Sequence, residues 1–300
     1  MSHFTVAVIH DKEDIIEDLL DPYYEGLETP RYVKATKEQL IEKGRQEIEE
    51  YKNGTYAKFL ADPEKYKSEC KNEGHIKYLE EEFPKRLEWT DEEVYQDALK
   101  WYEKEDIGED GEVYSSYNPN SKWDWYQIGG RWNNLLKLKD GTQSVLKGEA
   151  SWGDKSIEEM ERESSGRWCD SARIGDIDFE AMKEANKAEA YKRWDEWVEK
   201  AQRMVTNEKT FEEAWKEVTA WSDLEGDETK ESYAEKCSGF HTYAMLIDGE
   251  WIEPGKMGWW GMSHADKDDR KRYYEEYTKR LQDLIANSPD RVLTMVDCHI

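Results

Sequence analysis

No stock metal or phosphate motif is present in this 300-residue chain. Its cysteines, Cys70, Cys169, Cys237 and Cys298, lie far apart with no CxxC spacing, which excludes a zinc ribbon and a thioredoxin-type redox pair. Reduced thiols in a cytoplasm are the expectation. The histidines, His3, His10, His75, His241, His264 and His299, form no HExxH or other ligand-spaced pair, and no GxGxxG or P-loop is present. No motif calls for a cofactor or a metal.

Basic excess is missing too. With 69 acidic against 43 basic residues the formal net charge is −26, which repels nucleic-acid phosphates and anionic membranes, so a general nucleic-acid binder is excluded. No segment approaches the roughly 20 apolar residues of a membrane span, and the first residues lack the basic region of a signal peptide. A soluble, cytoplasmic protein is expected. The chain is nevertheless rich in rings, with 14 Trp, 18 Tyr and 6 Phe, which argues for a folded core despite 37% charged residues.

Periodicity outlines the elements. Phe4 to Ile9 reads as a buried strand and Asp11 to Leu20 as a short helix. Thr36 with Gln39, Thr90 with Glu93 and Thr210 with Glu213 have capping-box spacing, which predicts helix starts. Asp178 is placed to cap a long helix whose apolar stripe runs from Met182 to Ala201. Asp140-Gly141 and Asp248-Gly249 each predict a hairpin turn between apolar segments. Residues 148–176, rich in Gly and Ser, read as a long irregular loop. Tyr273 to Leu284 marks a last helix and Val292 to Val296 a closing strand.

The expected fold is α+β in a single domain. A central antiparallel or mixed sheet is built from N-terminal, middle and C-terminal strands in core segments 1–34, 112–150 and 238–300. Residues 35–111 form one helical insertion, and 151–237 a loop plus a second one.

Two aromatic clusters interrupt this pattern. Trp123-Asp-Trp-Tyr126 is followed by Gly129-Gly-Arg-Trp132, and Gly255-Lys-Met-Gly-Trp-Trp-Gly261 lies further on. Indole faces stack on flat rings, and an arginine fork fits a phosphate or carboxylate. Trp123, Trp125, Tyr126, Arg131, Trp132, Lys256, Trp259 and Trp260 therefore form a candidate pocket for an anionic, ring-bearing ligand of nucleotide type. The alternative for the same residues is packing, with Arg131 paired to Asp124 or another acid. A third constellation, His3 and His10 flanking the first strand with Asp297-Cys298-His299 on the last, comes together only if those strands are neighbours. Even then adjacent residues point to opposite faces.

Met1-Ser-His-Phe-Thr-Val6, Asn118-Pro-Asn-Ser-Lys-Trp-Asp-Trp-Tyr126 with Ile128-Gly-Gly-Arg-Trp132, Gly175-Asp-Ile-Asp-Phe179, Met257-Gly-Trp-Trp-Gly261 and Val296-Asp-Cys-His-Ile300 resemble a family of proteins carried by bacteriophages and other mobile elements. The resemblance implies an accessory protein acting in the host bacterial cytoplasm, where countering antiviral defence is a common role. It points to a non-enzymatic binder that sequesters a nucleotide-type signal. The alternatives are a stoichiometric inhibitor docking on a defence complex, as in the anti-Gabija type, and an enzyme using Cys298, His299, His3 or His10. Partners are thus a nucleotide-type small molecule or a host defence protein, and a homo-oligomer is compatible with the sequence.

Overall fold

The computed structural model describes residues 2–146, 148–150, 165–206, 208–220, 222, 224, 226, 228–258 and 262–300. Contacts divide the chain into two compact units, one formed by Met1–Leu27 with Pro119–Ile300 and the other by Glu28–Asn118. The class is mixed α+β, with a central mixed sheet drawn from the beginning, middle and end of the sequence.

In chain order the strands are β1 (His3–His10), β2 (Tyr32–Ala35), β3 (Val113–Ser115), β4 (Trp125–Gly130), β5 (Leu136–Lys137), β6 (Glu149–Ala150), β7 (Trp168–Cys169), β8 (Ser171–Arg173), β9 (Ala244–Ile247), β10 (Glu250–Ile252) and β11 (Val292–His299). The large sheet belongs to the first unit and runs β10-β9-β1-β11-β4-β6, with β8 also pairing β11. At its centre β1 and β11 are antiparallel over eight residues, His3 opposite His299 and His10 opposite Val292. These strands are apolar almost throughout because they are covered on both faces. β4 and β8 divide the far edge of β11 between them, β4 opposite Val296 to His299 and β8 opposite Val292 to Thr294.

Strand alternation sorts the core into two layers. Ala7, Ile9, Met245, Ile247, Leu293 and Met295 point to one face. The helix Lys267–Asn287 covers it with Tyr273, Tyr277, Leu281 and Leu284, spaced to lie on one helix side, and Met182 joins them from the helix Phe179–Met204. Phe4, Val6, Val8, Leu246, Val296 and Cys298 point to the other face, against Ile16 and Leu20 of the short helix Ile16–Leu20. Asp178 caps the helix Phe179–Met204 through the Ala181 N–H, as its spacing predicts. That helix carries a satellite cluster in which Trp194, Trp197 and Ala190 pack on Tyr233 and Ala234 of the helix Lys230–Ser238.

The second unit is mostly helical. Capping boxes at Thr36 and Thr90 start the helices Lys37–Tyr51 and Asp91–Leu99, and β2 and β3 pair with each other as a two-stranded sheet.

Asp248 and Gly249 take positive φ of 53° and 75°, and β9 and β10 form the hairpin that this turn predicts. The expected hairpin at Asp140-Gly141 does not form. Gly141 turns with φ +82°, but Leu136 and Lys137 pair with Cys169 and Trp168, while Val145 donates to Ser171. Of the expected irregular loop 148–176, residues 151–164 lie outside the described residues, while its start contains β6 and its end β7 and β8.

Candidate functional site

The register of β1, β11 and β4 creates a polar end on an otherwise apolar face. His3, His299 and Trp125 are cross-strand neighbours, as are Thr5, Asp297 and Gln127 one step further in. Residues two apart on a strand share a face, so all six lie on the face that continues into Ala7, Met295 and Leu293. The helix Lys267–Asn287 buries that inner stretch. At the outer end the layer gives way to imidazoles and an indole.

Each imidazole is held by a carboxylate through Nδ1. His3 Nδ1 lies 2.8 Å from Asp297 Oδ1, and His299 Nδ1 lies 2.6 Å from Asp124 Oδ1. A carboxylate only accepts, so Nδ1 carries the proton in each pair and Nε2 is left to work. The rings meet edge to face with centroids 4.9 Å apart, and the Trp125 ring stands 6.1 Å from His3 in the same manner. Asp297 is 1% exposed, and its second oxygen accepts the Arg131 backbone N–H at 2.9 Å. His299 Nε2 is buried without a hydrogen-bond partner among the described residues.

The glycine pair makes this closure geometrically feasible. Gly130 has φ +56°, and a Cβ there would meet the Asp297 side chain at 2.4 Å. Only glycine lets the chain turn over that carboxylate. The preceding Gly129 sits against Asp170, where a Cβ would come within 2.8 Å of this second buried acid, whose carboxylate accepts the Asn134 N–H. Burial pushes the Asp170 carboxyl up to about 6, the bond from Asn134 opposing the shift.

The strand splits the pocket expected from sequence. Trp125 faces the imidazoles, but Tyr126 faces the opposite layer, because neighbours on a strand diverge. Trp123 is buried in that same opposite layer, its Nε1 donating to the Leu20 carbonyl and its ring against Tyr24 and Tyr126. Arg131 is exposed and its guanidinium makes no ion pair with any described residue; Asp124, its alternative partner, is engaged by His299 instead. Trp132 is half-buried. Lys256 is exposed at the root of a turn in which its carbonyl accepts the His264 N–H, and the adjoining Met257 packs into the layer of Trp123. Trp259 and Trp260 lie outside the described residues.

Of the histidine constellation, His3, Asp297 and His299 do come together. Cys298 does not join them: it is fully buried in the opposite layer, and burial pushes its thiol well above the ordinary range. His10 lies at the other end of β1, seven residues from His3, or about 23 Å along the strand, bonded through Nε2 to Thr294, whose hydroxyl also meets Ser171. The part played by Asp124 and the buried Asp170 carry no sequence signal beyond their type, since only the register brings them in.

Chemically the site offers two anchored imidazoles and an indole 47% exposed, and the backbone of the exposed Arg131 adjoins it at Asp297. Among the described residues no group of three or more His, Cys, Asp and Glu is placed to hold a metal ion, and no helix is long and apolar enough to cross a membrane. Comparison with protein-family models, curated proteins and solved structures found no match.

Proposed function

We propose that this chain binds a small anionic, ring-bearing ligand of nucleotide type at the His3–His299 end of the sheet, and that it does so as a phage-type accessory protein countering host antiviral defence. One observation carries the binding reading: two imidazoles are fixed by their carboxylates beside the exposed Trp125 indole, and the exposed Arg131, whose guanidinium makes no ion pair with any described residue, is tied to the same Asp297 through its backbone N–H. Indole supplies a stacking face, and the guanidinium supplies donors to an anion. The other clustered aromatics, Trp123 and Tyr126, serve the core beneath.

The test is calorimetry and mass spectrometry of the full chain against mono-, cyclic mono- and cyclic dinucleotides. Arg131→Ala removes a charge-assisted contact and weakens binding by about 10- to 150-fold, the equivalent of roughly 1.5–3 kcal/mol. Unchanged affinity in a folded variant overturns the assignment.

A second reading, docking on a defence protein, draws on the Glu28–Asn118 unit. There the Trp101 indole is 87% exposed at a groove of about 650 Å³ between the helices Lys37–Tyr51 and Asp91–Leu99. Trp101→Ala would abolish capture of such a partner and leave nucleotide binding untouched.

A further inference from the structure

We infer that the two anchored imidazoles are an acid–base pair, and that the ligand they receive is a nucleotide phosphodiester which the protein hydrolyses. The inference rests on the binding reading above and adds a reaction to it.

His3 has the surroundings of a general base. Asp297 is buried, accepts from His3 Nδ1 with one oxygen and from the Arg131 N–H with the other, and so has no freedom to turn away. A carboxylate held in this way fixes the tautomer that leaves Nε2 as the proton acceptor, and it stabilises the imidazolium once formed. His299 is bound to Asp124 in the same sense, and its buried Nε2 has no hydrogen-bond partner among the described residues. An orphan nitrogen beside a base is suited to a substrate oxygen, and as Nε2–H it is the general acid. Cys298 supplies no nucleophile to this face, so the attacking group is water.

The step balances without a further reactant. His3 Nε2 takes a proton from water as the water oxygen bonds to phosphorus. The phosphorus–oxygen bond to the leaving alcohol breaks, and that oxygen takes the proton from His299 Nε2. The products are a phosphomonoester and an alcohol, and proton exchange with solvent restores both rings. Arg131, exposed and tied to Asp297 through its backbone N–H, is the cation assigned to the phosphoryl oxygens. Trp125 offers its ring to the base.

The experiment uses the full chain with 3′,5′-cyclic AMP and cyclic di-AMP in ¹⁸O-enriched water, read by mass spectrometry. The expected result is a linear phosphomonoester carrying one ¹⁸O. His3→Gln and His299→Gln each slow its formation by roughly 10²- to 10⁴-fold, while affinity, followed by tryptophan fluorescence, changes only a few-fold and near-ultraviolet circular dichroism remains native. Probes that bind and are recovered intact overturn the inference and leave the binding reading standing, as does hydrolysis that proceeds at the native rate in both variants. Failure of the whole nucleotide panel to bind overturns both.

Discussion

Gly130 provides the sharpest test of how the site is built. An alanine there must adopt a left-handed backbone, φ +56°, which costs a non-glycine residue about 1–2 kcal/mol. Its Cβ would also stand 2.4 Å from the Asp297 side chain, well inside contact distance. Asp297 cannot yield without loosening its bond to His3 or to the Arg131 N–H, and a hydrogen bond to a charged group contributes about 1.5–3 kcal/mol. The total expected loss is therefore roughly 3–5 kcal/mol. Gly141 is the natural control, because it too has positive φ, +82°, yet nothing lies within 4 Å of the position of its Cβ. Gly141→Ala should cost only the backbone part, about 1–2 kcal/mol. Urea unfolding followed by tryptophan fluorescence compares the two. If they lose the same stability within about 0.5 kcal/mol, the idea that Gly130 is required for closure onto Asp297 is wrong.

Two further outcomes follow from burial. Asp170 has a folded pKa of about 6, raised by burial from an ordinary 3.8. The proton is bound more tightly in the folded state, so the contribution is fully present below pH 3.8 and is lost as pH rises through 6. About two units correspond to roughly 3 kcal/mol. Asp170→Asn keeps an acceptor for the Asn134 N–H and should remove this decline, seen as a flatter stability curve between pH 4 and 7; an unchanged curve contradicts the assignment. Cys298 and Cys169, buried with raised pKa, should resist iodoacetamide in the native protein, whereas the partly exposed Cys70 reacts. Rapid native labelling of Cys298, read by peptide mass spectrometry, would place it on the site after all.

Local chemistry was readable in advance because its partners lie within a few residues. The capping boxes at Thr36, Thr90 and Thr210 each close inside one helical turn, and the Asp248-Gly249 turn joins strands that pair directly. Asp140-Gly141 has equally good turn chemistry, but turn residues do not choose partners: Leu136 finds Cys169 instead of the segment after the turn. The same distinction governs the site. Alternation along a strand, applied to Trp125 and Tyr126, separates them onto opposite faces, and a run of aromatics read as one patch conceals that split. His3, Asp297 and His299 were recognisable as residues of the right types, yet only the register of β1 against β11 sets which of them meet. Asp170 stands beyond such reasoning, since a buried acid among 69 acidic residues has no local mark.

The pairing of β1 with β11 also sets the order in which this protein can become active. The His3–Asp297 bond joins residues 294 positions apart, and β1 must wait for β11 to be synthesised, on the order of 15–60 s at typical translation rates. Throughout that interval an eight-residue apolar strand has no antiparallel partner, while the 28–118 unit, compact in itself, is free to fold first. A chain stopped before residue 292 would carry every aromatic of the Trp123–Trp132 cluster and still have no site.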